Sequence, residues 1–137
     1  MLPPPAPRAM NSPQRQVLLI DDDAAVTDYL RLKLASRYRV LVLNDPLRAV
    51  ETVRRERPDI VVCDVDMPGL DGSAVARALA ADPQLRAVAF VHLTSTVSLS
   101  ELDARGGILG GRPCISKHAP IDRILRRIED VLRTSAR

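Results

Sequence analysis

The sequence predicts an α/β fold in which a parallel sheet is doubly wound by helices, and three observations predict it. Short aliphatic runs alternate with longer segments of helical period, five times along the chain. Parallel strands are covered on both faces, so they read as unbroken apolar runs of this kind. Each run breaks off in a polar or turn-forming residue. Aromatic residues make up only 2% of a chain that is 46% hydrophobic, so Leu, Val, Ile and Ala must fill the interior.

Residues 1–14 hold Pro3, Pro4, Pro5, Pro7 and Pro13, five of the eleven prolines, with almost nothing to bury. They are expected to form a disordered tail ahead of one domain, residues 15–137. A chain of 137 residues suits one core and is short for two. Strands are expected at residues 17–20, 39–43, 60–63, 88–93 and 114–116. Val26, Leu30 and Leu34 repeat at i, i+4 and i+8, which places a helix after the first strand. Leu47, Val50 and Val53 recur every third residue after the second strand, and Val75 and Leu79 mark the helix after the third. The fourth helix spans residues 98–104 at most, because four of the six glycines follow in residues 106–111 and glycine weakens helices. Ile121, Ile124, Leu125, Ile128 and Leu132 form one stripe of the last helix, with Pro120 suited to its first turn.

The formal charge is +3, but the basic residues are scattered among 17 acids, so no direct nucleic-acid contact is expected. No stretch approaches the ~20 apolar residues that span a bilayer, and the start has no apolar core of signal length. A cytoplasmic protein without a membrane partner is the expectation. Cys63 and Cys114 lie in apolar runs and read as small buried hydrophobes.

In doubly wound sheets, ligands bind beyond the carboxyl ends of the strands. Asp21, Asp22 and Asp23 stand directly after the first strand, where close carboxylates repel unless a cation neutralises them. A hard divalent ion is one partner; capping of the next helix by an Asp is the plainer alternative. Asp64 ends the third strand and could supply another oxygen ligand or act as a nucleophile; it could also merely begin the turn shaped by Pro68, Gly69 and Gly72. Thr94 and Ser95 end the fourth strand, as phosphoryl donors or simply helix caps. Lys117 ends the fifth, one of two lysines beside eighteen arginines, and its compact ammonium suits a point contact with phosphate or carboxylate. As a surface lysine it would need no such role.

Acids, nucleophile, hydroxyl and amine thus fall at the ends of strands one, three, four and five. The residues Leu18-Leu19-Ile20-Asp21-Asp22-Asp23, Asp64 with Met67-Pro68-Gly69-Leu70-Asp71-Gly72, Leu93-Thr94-Ser95 and Ser116-Lys117 together resemble the receiver domain of two-component response regulators. The resemblance runs from about Gln16 to Leu132. It implies a flavodoxin-like (βα)5 fold with a five-stranded parallel sheet of order 2-1-3-4-5. It also implies a phosphoacceptor signalling domain rather than an enzyme. Asp64 would take a phosphoryl group from a sensor histidine kinase or phosphotransfer protein. Mg²⁺ would be held by Asp64, Asp22, the backbone carbonyl of Asp66 and, through water, Asp21. Thr94 would hydrogen-bond the phosphoryl group and Lys117 would pair with it. The change would be passed through the fourth and fifth helices and the strand between them to an effector, with a homodimer as an open alternative.

The chain departs from the family in three places. It reads Lys117-His118-Ala119-Pro120 where the family follows its Lys with a cis proline, so a trans peptide is expected after Lys117. Cys114 stands where the family has a switching Tyr or Phe. The glycines of residues 106–111 predict a loose segment that would order or shift on phosphorylation. Two rivals are weighed. A pseudo-receiver that only binds would not need the intact acids, Thr94 and Lys117. A phosphatase of the haloacid dehalogenase type is suggested by Val62-Cys63-Asp64-Val65-Asp66, yet those enzymes carry this motif in the first strand with acids downstream, whereas here the acids lie upstream.

Overall fold

A computed structural model describes residues 14–67 and 71–135. The expected tail falls outside these residues but for Gln14, as do Pro68, Gly69 and Leu70 of the motif loop. The strands are β1 (Gln16–Ile20), β2 (Arg39–Leu43), β3 (Ile60–Asp64), β4 (Ala89–Thr94), β5 (Ile108–Leu109) and β6 (Arg112–Ser116). The helices are α1 (Ala24–Leu34), α2 (Ala49–Glu56), α3 (Gly72–Ala81), α4 (Leu99–Ala104) and α5 (Ile121–Ser135).

The sheet runs β2-β1-β3-β4-β6-β5. Its first five members are parallel and reproduce the expected order 2-1-3-4-5, and β5 adds a sixth, antiparallel strand that periodicity did not foresee. Residues 106–111 thus hold a two-residue strand and its turns where an irregular loop was expected. Gly106, Gly107, Gly110 and Gly111 all have positive φ, a conformation open to residues without a Cβ, and they turn the chain into the β5–β6 hairpin.

Both faces of the sheet are covered, as unbroken apolar strands require. On one face Val17, Leu19, Val62, Val91, Leu93 and Ile115 pack under Leu30 and Leu34 of α1 and Ile124, Ile128 and Leu132 of α5. On the other, Leu18, Ile20, Val61 and Cys63 meet Val53 of α2 and Val75 and Leu79 of α3. Leu47 departs from the expected stripe. It sits 74% exposed in a short 3₁₀ turn, Pro46–Arg48, because Asp45 caps that turn and the α-helix starts only at Ala49.

Helix starts follow side-chain capping. Asp23 accepts from Ala25 N–H at 3.0 Å, Asp71 from Ala74 N–H at 2.8 Å, and Ser98 forms a reciprocal capping box with Glu101. Two α5 arginines brace the far edge. Arg123 pairs with Asp103 at 2.7 Å, and Arg127 donates to Gly107 O at 2.8 Å, the same carbonyl that accepts Cys114 N–H. No helix among the described residues is long and apolar enough to cross a membrane.

Candidate functional site

The register brings four strand ends to one edge of the sheet. Ile20 lies opposite Cys63, Asp64 opposite Leu93, and Thr94 opposite Ser116, so β1 and β4 flank the end of β3 and the residue after β6 stands one strand further out. Backbone bonds carry this order beyond the strands: Val65 N–H donates to Leu93 O at 2.9 Å and Lys117 N–H to Thr94 O at 2.8 Å.

Asp21, Asp22 and Asp64 present carboxylate oxygens that all lie within 4.8 Å of one another. Asp21 and Asp64 are buried, Asp22 is exposed, and Asp23 has turned away to cap α1. The plainer alternative for an acid at a helix start is therefore met by Asp23 alone. Lys117 Nζ stands 2.9 Å from Asp21 Oδ2 and 3.2 Å from Asp64 Oδ1. One ammonium is thus shared between the two buried carboxylates. Asp21 Oδ1 accepts from Asp23 N–H at 3.0 Å, and Asp64 Oδ1 from Asp66 N–H at 3.3 Å.

Burial raises the Asp64 carboxyl above the usual range and the Asp21 charge adds to this, while Lys117 opposes both. Burial alone would lower the Lys117 ammonium, but Asp21 and Asp64 outweigh it and raise it. The cluster is thus short of positive charge, with one ammonium facing three carboxylates. A hard cation that prefers oxygen ligands matches this donor set.

Gly72 explains why α3 starts so close to this edge. Its N–H donates to Val65 O at 2.8 Å, and a Cβ built on it would lie 2.2 Å from the Asp64 carbonyl oxygen. Only a residue without a side chain lets the helix approach there.

Sequence reasoning placed Asp21, Asp22, Asp64 and Lys117, and the structure brings these four together. Thr94 ends the adjoining strand, buried, but its hydroxyl is engaged by Thr96, through Oγ1 at 3.0 Å and N–H at 3.2 Å. Ser95 and Asp66 are exposed. The Lys117–His118 peptide is trans, as expected from the displaced proline. Sequence reasoning missed Thr96, whose hydroxyl two residues past Thr94 was the available signal. It also missed Asn44, which reads as a mere turn residue in Asn44-Asp45-Pro46 yet contacts the acid loop.

Cys63 and Cys114 are free and buried, and burial raises both thiols, Cys114 to about 11, so neither is a reactive thiolate. A cavity of about 500 Å³ lies near Arg15, Asp59 and Ser135, away from the acid cluster. A smaller one of about 230 Å³ adjoins Lys117 between α1 and α5 and is lined by Val26, Tyr29 and Ile124. The charge pattern, rather than cavity size, marks the site.

Comparisons with known proteins bear on the family and the fold. The family model described as response regulator receiver domain matches residues 17–129. The response regulator MprA of Mycobacterium leprae is 38% identical over 123 residues, covering 86% of this chain and 51% of that protein. The DNA-binding response regulator MtrA of Mycobacterium bovis is 33% identical over 91 residues, 66% of this chain and 40% of that one. The chain thus spans about half the length, or less, of these curated relatives. Among solved structures, the chemotaxis protein CheY4 of Vibrio cholerae superposes with a TM-score of 0.72 at 22% identity, covering 86% of this chain and 98% of that one. A CheY-like receiver domain protein of Methanospirillum hungatei gives 0.74 at 18% identity, covering 90% and 97%. At these identities the two structures attest the fold.

Proposed function

Because the chain belongs to the response regulator receiver domain family, we propose that Asp64 is its phosphoacceptor, taking a phosphoryl group from a phosphohistidine of a sensor kinase or phosphotransfer protein in the cytoplasm. The observation that carries this is the placement of the buried Asp64 at the end of β3, with Lys117 Nζ 3.2 Å from its Oδ1 and the carboxylates of Asp21 and Asp22 alongside.

Lys117 and the Asp66 N–H engage Oδ1, which leaves Oδ2 to form the new bond. An Asp64 oxygen bonds to phosphorus as the P–N bond of the donor breaks. The imidazole leaves with the electron pair and takes up a proton. Asp64 and Asp22 carboxylates with the Asp66 carbonyl would hold Mg²⁺, and Asp21 would reach it through water. When bound, Mg²⁺ supplies neutralisation of the charge that builds between carboxylate and phosphate. Lys117 holds Asp64 in place before transfer and pairs with the phosphoryl oxygens after it. Thr94 exchanges its bond with Thr96 for one to the phosphoryl group, and α4, β6 and α5 pass the change to an effector. The domain carries the signal on its own carboxylate and turns over no substrate of its own.

The test is incubation with a small acyl phosphate and Mg²⁺, read by intact mass. One phosphoryl group should be gained, and none by Asp64→Asn or in the presence of a chelator. Equal incorporation in either control would overturn the assignment.

A further inference from the structure

We propose that Asn44 is a positioning residue for the acid loop, setting how strongly Asp21, Asp22 and Asp64 bind a divalent cation. The inference rests on reading that cluster as the Mg²⁺ site. Asn44 follows the last residue of β2, and its Nδ2 spends both hydrogens across the loop. One goes to the Asp21 carbonyl oxygen at 2.7 Å and the other to Thr27 Oγ1 at 3.1 Å. Thr27 is 1% exposed and passes the link on to Ala24 O, in the first turn of α1. The Asp21 N–H donates to Leu43 O at 3.2 Å. The peptide units on both sides of Asp21 are therefore fixed by the end of β2, one through Leu43 and one through Asn44. The residue as a whole is exposed, so its amide holds these two bonds where water is available as an alternative.

The chemistry of the amide suits this task. Three carboxylates at this separation repel, and the single Lys117 ammonium offsets that repulsion only in part, so the loop needs a restraint from its main chain. A lysine or arginine at position 44 could restrain the loop as well, but its charge would neutralise the acids and compete with the ion. An uncharged double donor restrains the main chain and leaves the negative potential for the metal. Groups that orient ligands from behind carry a large share of metal affinity. The plainer alternative is a turn residue that does no more than join β2 to the capped turn after it.

Calorimetric titration with Mg²⁺ alone separates the two. Asn44→Ala, and Asn44→Leu, which keeps the branched shape without donors, should weaken binding about tenfold. The Mg²⁺ concentration needed for phosphate incorporation should rise in step, with the rate recovering at saturating metal. Asp45→Ala removes the neighbouring cap and should lower thermal stability while leaving Mg²⁺ affinity unchanged. Unchanged affinity in both Asn44 variants would overturn the role of Asn44 while leaving the metal reading intact. Failure of the unmodified protein to bind Mg²⁺ would overturn the metal reading, and Asn44 with it.

Discussion

Replacing Gly72 by alanine tests whether the start of α3 sets the position of Asp64. The new Cβ would lie 2.2 Å from the Asp64 carbonyl oxygen and 3.0 Å from both Asp64 C and Val65 Cα. Ordinary contact begins at 3.4 Å, so helix and strand end must separate by about 1 Å, straining the Gly72 N–H to Val65 O bond. Overpacking of this kind costs about 1–3 kcal/mol. Alanine in place of glycine returns up to about 1 kcal/mol in a helix interior and less at a first turn. The balance is a loss of about 1–2 kcal/mol, or about 4–8 °C in a chain of this size. The kinetic effect should be larger in proportion, because about 1 Å of misplacement can cost about a hundredfold in rate. Urea unfolding and the rate of phosphate incorporation at saturating Mg²⁺ measure the two. A variant with an unchanged midpoint and an unchanged rate would refute the reasoning, since it would mean that the helix start yields without moving Asp64.

Two further outcomes follow from the same geometry. Lys117→Met leaves the buried Asp21 and Asp64 carboxylates without their cation; unfolding should show a loss of about 2–3 kcal/mol, less than for a fully buried pair because Lys117 is partly exposed, and added Mg²⁺ should restore part of it. His92 is buried on β4, with Nδ1 3.4 Å from Cys63 O and no partner for Nε2, and burial lowers its pKa. The unfolded chain therefore binds that proton more readily, and stability should fall as pH drops below about 6.5. His92→Leu should flatten this limb, as urea midpoints from about pH 5 to about pH 7.5 will show; an unaltered slope would mean that His92 does not report on folding.

The four residues of the site were legible because parallel strands admit little but apolar side chains. A polar residue closing such a run is conspicuous, and Asp21 with Asp22, Asp64 and Lys117 follow or close one, as Thr94 does beside them. The alternation announced a parallel sheet, while the strand order came only with the family resemblance. What stayed hidden depends on contacts between distant segments. Asn44 acts through the Asp21 carbonyl, which no side-chain pattern announces. The β5–β6 hairpin read as a glycine-rich loop because its stability comes partly from Arg127, twenty residues beyond Gly107. Leu47 fitted a helical stripe until Asp45 capped the turn ahead of it and started the helix late.

The hairpin also bears on recruitment. The outermost parallel strand of a sheet offers its free main-chain groups to any extended peptide. Here the first two residues of β6, Arg112 and Pro113, are already paired with Leu109 and Ile108, and Pro113 has no N–H to give. What remains is too short to template a further strand. A protein that approaches from this side must read side chains: the Arg123–Asp103 pair, the guanidinium of Arg127 and the half-exposed Ile108. Recognition there would follow charge and shape, and this edge of the sheet would stay closed to growth.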